Sequence, residues 1–500
     1  MIRHIVAALV LVMALPVSTG VYRVAAVSPT VTLSIVGTND LHGYALPANG
    51  RGGLAWLGGY LENLRQVRQE PEGAVLLLDA GDTFQGGIES NLSEGALVVD
   101  AYNALGYAAA AIGNHEFDFG PVDTAEPADH PDPRGALKAA ASRARYPFLA
   151  ANLLDAATGR PVAWPNVAPS AMVTRAGLRI GIIGAMTVDG LRATLAANVH
   201  GLALAPLAPR ILDEALRLRA HGADLVVLTI HAGGSCGQFA DPIDLTTCDT
   251  GSELFRLLQD LPRGTLDAVV AGHTHAILAH IVDGVPIIES WSGGRAFGRM
   301  DLTIDRGTRR VVGVQLFPPQ DLCVSDGCSA AAAALHESRW YEGRPVRSAQ
   351  AVVDAMTPAL EQVRRRQAEP LPVTVDTLVR RSVEVGAPLG NLFADAIRAS
   401  TPGADVAVSN NGFAGLRADL PAGPLTFGRL YDVFPFDNRL VQMTLTGAQL
   451  ERVFAEEFRR RRPGALSLSG LRVKGTCDGP ELRVRLFRPT GAPIPGDAVL

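Results

Sequence analysis

The chain carries no basic surplus: 45 Lys and Arg stand against 50 Asp and Glu, a formal net charge of −5. It also has no cluster of cations interleaved with aromatics. Binding a phosphate backbone needs such a footprint, so polymeric nucleic acid is not expected as a partner. No segment is apolar for the roughly 20 residues that a bilayer crossing takes. Ile5 to Leu15 is too short, and it follows Arg3 and His4 and precedes Pro16 and small residues to Gly20. That is the charged start, short apolar middle and small-residue end of a secretory signal. Residues 1–28 are therefore expected to direct export to a periplasm or beyond, with no stable membrane association after cleavage; an uncleaved anchor is the alternative. No Cys follows the apolar run, so a lipid anchor is not expected. Cysteine is scarce, at five in 500 residues. Cys236 with Cys248, and Cys323 with Cys328, read as two local disulfides in an oxidising compartment. A four-thiolate zinc site would want two tight pairs, and only the second is tight. Cys477 is left over. No internal repeat is visible at periods of about 20–50 residues.

What is present is an ordinary globular composition, 47% hydrophobic and 19% charged, long enough at 500 residues for two domains or more. Short apolar runs at 31–37, 74–79, 109–112, 224–230 and 267–270 read as buried strands. Helical patterns lie between them at Leu54 to Arg68, Leu97 to Leu105, Pro209 to Arg219 and Ser252 to Leu258. Strand alternating with helix implies an α/β layered domain, in which ligands bind beyond the carboxyl ends of strands. A boundary is expected near 325–370, where an Ala-rich stretch from Ser329 and a helix from Ala351 to Gln367 precede Pro370-Leu-Pro372. A second region follows with a short strand from Val373, a helix from Asn391 to Ser400 and a strand around Val406.

Each apolar run of the first region ends in a chemistry-bearing motif. In order these are Asp40-x-His42, Gly81-Asp82, Gly113-Asn114-His115-Glu116, His231 and Gly272-His273-Thr274-His275. Five of the 11 histidines fall in these runs. A lone Asp or Asn after a strand is most often turn chemistry or a helix cap. Seven such residues with imidazoles among them read instead as metal ligands. Carboxylate, imidazole and amide oxygen without thiolate suit Zn, Mn, Fe or Co. Four imidazoles argue against structural calcium, which prefers oxygen-only shells. Two ions about 4 Å apart could share Asp82 as a bridging carboxylate, an arrangement suited to phosphate-ester hydrolysis. His115, directly after Asn114, could reach the reacting group, with Asp118 holding its other ring nitrogen as a catalytic dyad.

These five motifs resemble those of the metallo-dependent phosphatases. Together with Gly390-Asn-Leu-Phe-Ala-Asp-Ala396, Asn410-Asn-Gly-Phe-Ala-Gly-Leu-Arg417 and Val433-Phe-Pro-Phe436, nearly the whole mature chain resembles the secreted 5′-nucleotidase family. The resemblance implies a four-layer α/β/β/α metallophosphatase domain over 29–325, a helical linker over 326–370, and a smaller α/β substrate-binding domain over 371–500. It implies two divalent ions, with Zn, Mn or Co expected. Asp40, His42, Asp82 and His275 would hold one, and Asp82, Asn114, His231 and His273 the other. Hydrolysis of a nucleotide ester would follow by attack of a hydroxide bridging the two ions, with His115 and Asp118 as the dyad. Asn411 and Arg417 would contact nucleotide, and Phe436 would stack on the base; Arg380 or Arg381 would approach phosphate. Related substrates share the same metal motifs: 2′,3′-cyclic nucleotides, 3′-nucleotides, UDP-sugars and a thiosulfate-bearing protein. A non-catalytic binding protein on this fold would be expected to have lost ligands or dyad, and here each matched position is filled. Two departures stand out. Phe413 interrupts the Gly-rich loop. The sequence also stops at Leu500, where the family continues with a second stacking aromatic, so a fragment or a one-sided clamp is expected.

Overall fold

The computed structural model describes residues 28–122, 131–324, 340–382, 386–410, 415–435, 440–460, 466–479 and 481–500. Residues 1–27 of the expected export signal, the Ala-rich stretch from Ser329, Cys328, Asn411, Phe413 and Phe436 lie outside the described residues. Among the described residues, no helix is long and apolar enough to cross a membrane.

Two sheets form the centre of the first region. One has seven strands in the order 311–321, 296–305, 30–38, 73–79, 109–111, 148–149 and 167–168. The other has six, ordered 277–282, 285–290, 268–271, 225–231, 178–186 and 170–175. The side chains of a strand alternate between its two faces, and here both faces are apolar because both are covered. Leu76 and Leu78 enter the core between the sheets, where they meet Ile180, Ile182, Leu225 and Val227. Leu77, between them in sequence, points outward to Leu57, Leu61, Val98 and Tyr102 of the helices Leu54–Val67 and Ala96–Leu105. Val226, Leu228 and Ile230 face the opposite way, toward Ile211, Leu218, Leu254 and Phe255 of the helices Leu207–Ala220 and Glu253–Asp260. Three buried apolar layers between four layers of secondary structure make the expected α/β/β/α sandwich. The parallel strands 30–38, 73–79 and 109–111, and 225–231 beside 268–271, bring their carboxyl ends to one edge.

Within the stretch expected as a linker, the described residues pack on the first domain. A hairpin, Trp340–Tyr341 with Arg344–Pro345, leads into the helix Gln350–Ala368. Val352, Met356 and Leu360 repeat every four residues on one face of that helix, and they complete the core around helix 54–67. The approach is close because Gly59 has no side chain: a Cβ there would lie 1.8 Å from the Arg347 carbonyl oxygen. Asn63 adds an amide facing the Tyr341, Arg344 and Pro345 carbonyls at 3.1–3.3 Å.

The second region pairs strand Pro370–Val375 with Gly423–Thr426, and Ala407–Asn410 with Leu466–Ser469. A hairpin of Arg472–Asp478 and Glu481–Phe487 follows. Helices Pro388–Ser400, Phe427–Val433 and Gly447–Arg459 pack over these strands. Thr446 and Gln449 close a capping box at the last helix, which sets its start.

Candidate active site

All seven expected ligands and the expected dyad gather at that strand edge, contributed by loops far apart in sequence. Strand 30–38 delivers Asp40 and His42; strand 73–79 delivers Asp82; strand 109–111 delivers Asn114 and His115. His231 ends its own strand, and His273 and His275 follow strand 268–271. The turns are tight. Asp40, His42, Asp82, His273 and His275 all have left-handed backbone, with φ between 49° and 78°. Non-glycine residues pay for that conformation, and such strain persists where surrounding structure imposes it.

Asp82 sits at the middle. It is buried, with Oδ2 3.0 Å from His231 Nε2 and Oδ1 accepting the His115 backbone N–H at 2.8 Å. Asn114 Oδ1 and His273 Nδ1 each lie 3.1 Å from the same His231 nitrogen. On the other side, His275 Nε2 is 3.3 Å from Asp40 Oδ1 and 3.0 Å from His42 Nε2. Three groups, Asp40–His42–His275, Asp82–His231–His273 and His42–Asp82–His115, can each offer ligand atoms within 4.8 Å of one another. Asp40 Oδ1 is fully buried, with His275 Nε2 as an ion-pair neighbour at 3.3 Å and no well-formed hydrogen bond, and a buried carboxylate oxygen needs a counter-charge. The opposite ring nitrogens are already committed: His231 Nδ1 to the Ala80 carbonyl at 2.9 Å, and His42 Nδ1 to the Gln85 carbonyl at 3.0 Å. Orientation of this kind leaves the inward nitrogens as acceptors for a cation. The donor set fits divalent metal.

His115 Nδ1 lies 2.5 Å from Asp118 Oδ2, and Thr194 donates to the other oxygen of Asp118 at 2.7 Å. Burial disfavours a charged His115, but the bond to Asp118 and the charge of Asp82 outweigh it and push its pKa up to about 9. Burial likewise works against charge on His231, and Asp82 overrides it, raising the ring to about 10. The same histidines hold Asp82 below the usual carboxylate range in spite of its burial. A cluster this short of charge balance must release protons when cations enter.

Two positioning carboxylates carried no assigned role in the sequence. Buried Glu116 accepts from Asp82 N, Thr83 N, Thr83 Oγ1 and Gly113 N at 2.6–2.9 Å, tying two ligand loops together. Buried Glu289 accepts from Thr274 Oγ1 at 2.6 Å and Gly234 N at 3.3 Å, joining the loops after His231 and His273. Glu116 adjoins His115 and was within reach of motif reading. Glu289 had no local signal, because its partners come from a different strand.

The nucleotide side is only partly described. Arg417 is exposed, and its backbone N–H donates to the Val433 carbonyl at 2.8 Å. Cys236 and Cys248 are joined as expected, Cys323 is disulfide-bonded, and Cys477 is free and exposed.

A two-sheet sandwich with this Asp, His and Asn cluster at its strand tips defines a metallophosphoesterase. Residues 33–276 match the calcineurin-like phosphoesterase family, and residues 370–486 match the 5′-nucleotidase C-terminal domain. The chain carries a calcineurin-like phosphoesterase domain and a 5′-nucleotidase C-terminal domain, the pair expected of a hydrolase acting on phosphate esters with divalent metal ions. It is 25% identical over 439 residues to endonuclease YhcR of Bacillus subtilis, covering 85% of this chain but 32% of that protein. With protein UshA of Yersinia enterocolitica the identity is 25% over 472 residues, covering 85% of this chain and 76% of the relative. The solved structure of a 5′-nucleotidase precursor from Thermus thermophilus superposes with a TM-score of 0.63. That match has 24% identity and covers 94% of this chain and 88% of that one.

Proposed function

We propose that this phosphoesterase is exported, binds two divalent ions drawn from Zn, Mn or Co, and removes phosphate from nucleotides. Asp40, His42, Asp82 and His275 hold one ion, and Asp82, Asn114, His231 and His273 the other. The observation that carries this reading is Asp82, a buried carboxylate grouped with His231 and His273 on one side and with His42 and His115 on the other. Divalent ions supply Lewis-acid charge to phosphoryl oxygens and lower the pKa of bound water. Asp118 holds His115 through Nδ1, so the Nε2 proton is free to serve the oxygen on which charge develops as the ester bond breaks. Burial works against charge on the ring, and the bond to Asp118 favours its protonated form. The match of residues 370–486 to the 5′-nucleotidase C-terminal domain supports a nucleotide as the ester. Asn411, Arg417 and Phe436 are its contacts in this reading. The Cys236–Cys248 disulfide and the signal-like N-terminus support export.

The test is phosphate release by metal-supplied protein from AMP, ADP, ATP, UDP-glucose, 2′,3′-cyclic AMP and p-nitrophenyl phosphate. Turnover of AMP is expected. Turnover of p-nitrophenyl phosphate with none of the nucleotides would overturn the substrate and leave the phosphoesterase standing. No metal-dependent turnover of anything would sink both.

A further inference from the structure

The C-terminal domain reaches the metal centre through a chain of hydrogen bonds. Tyr431, buried in helix Phe427–Val433, sets its hydroxyl 2.5 Å from Asn91 Nδ2 of the first domain. Asn91 is itself buried, and its Oδ1 accepts the Gly86 backbone N–H at 2.9 Å. Gly86 lies flush on the His42 backbone: its φ is 147°, and a Cβ there would sit 2.4 Å from the His42 carbonyl oxygen. Gly87 N donates to that same oxygen at 2.7 Å. Gln85, on the other side of Gly86, offers its carbonyl to His42 Nδ1 at 3.0 Å. That last bond decides which ring nitrogen of His42 carries the proton, and so leaves Nε2 turned toward Asp40 and His275. Helix 427–433 is fastened in place by more than the tyrosine. Phe427 N donates to the Glu369 carbonyl at 2.9 Å, and the Phe427 ring lies 4.4 Å from the Arg366 guanidinium.

We propose that Tyr431 is a positioning residue for the metal centre: from the second domain, through Asn91, it holds the Gln85–Gly87 turn that orients His42. Removing the hydroxyl leaves a buried amide N–H of Asn91 unpaired. The amide can relieve that only by rotating, which gives up the bond to Gly86. The turn is then released on the side where His42 reads it. The effect falls on the ion that His42 holds and spares the one held by His231 and His273, so docking of the second domain and occupancy of one metal position are coupled. The inference rests on the reading of His42 as a ligand.

The experiment uses Y431F, which keeps the ring and loses only the hydroxyl. Metal-stripped full chain is titrated with Mn2+ by calorimetry, with H42A as the reference that identifies which binding step belongs to His42. The expected result is that Y431F weakens that step by about tenfold, as loss of outer-shell support does, and leaves the other within twofold (roughly) of wild type. A lowered melting temperature with both steps unchanged would mean the tyrosine serves only the domain contact, and the inference would be wrong. Wild type that binds two ions while Y431F matches it overturns the inference alone. Wild type that takes up no ion overturns the reading of His42 as well.

Discussion

Replacing Glu116 by Gln removes one charge and one acceptor from the point where two ligand loops meet. Oε1 of Glu116 takes Thr83 N and Thr83 Oγ1 at 2.6 and 2.7 Å, and Oε2 takes Gly113 N and Asp82 N at 2.6 and 2.9 Å. A glutamine must point its NH2 at one of these pairs of donors. The cheaper choice is the Thr83 side, where the hydroxyl can turn and accept, leaving one backbone N–H unpaired. An unpaired buried donor costs about 1–3 kcal/mol, and the two remaining bonds lose their charge-assisted part, so the total is about 2–4 kcal/mol. Part of that appears as lost stability. The rest appears as displacement of Asp82 and Asn114, expected to weaken metal binding by about 10–100-fold. Burial and the nearby Asp82 charge push the Glu116 pKa up, while four donors favour the ionised form. Were the proton retained, glutamine would be close to a neutral replacement. Urea denaturation and calorimetric metal titration of E116Q decide this. Stability within about 0.5 kcal/mol of wild type together with unchanged metal affinity would refute the reasoning.

H115A is expected to lower kcat by about 10²–10⁴-fold while metal titration and melting temperature stay near wild type; steady-state kinetics in which kcat holds would remove His115 from the chemistry. Because the bond to Asp118 favours the charged His115 ring against the effect of its burial, kcat should decline at alkaline pH, and the decline should be absent in H115A. Burial raises Glu289 from 4.5 to about 8. A carboxyl whose folded pKa lies above its unfolded one contributes most at low pH, and that contribution fades as pH rises toward the folded value. Unfolding free energy of wild type should therefore fall between about pH 4.5 and 8 by an amount on the order of several kcal/mol, and E289Q should flatten that slope. Parallel curves for the two proteins in urea titrations across this range would show that Glu289 is not the group responsible.

The metal cluster was legible before any fold because its signals are local. Asp40 and His42, Asn114 and His115, and His273 and His275 are neighbours in sequence, each closing an apolar run, and few structural roles need that chemistry at that spacing. The strands bearing them, such as 225–231, read clearly because burial on both faces makes them continuously apolar. Strands 277–282, 285–290, 296–305 and 311–321 were not assigned from sequence. The last is half exposed, with Val312 and Val314 on its open face, so its pattern is weak.

The sequence alone determined which side chains could bind metal and which of them come from strand ends, because residue type and hydrophobic period act over a few positions. Only the tertiary structure decided which distant loops meet at one strand edge. It bent five of the expected ligand positions into left-handed backbone and gave Glu116 and Glu289 their partners. It also docked the helix of the expected linker on the first domain, and set Tyr431 against Asn91. Each of these depends on contacts between segments tens to hundreds of residues apart, made when buried polar groups must find partners inside a packed core.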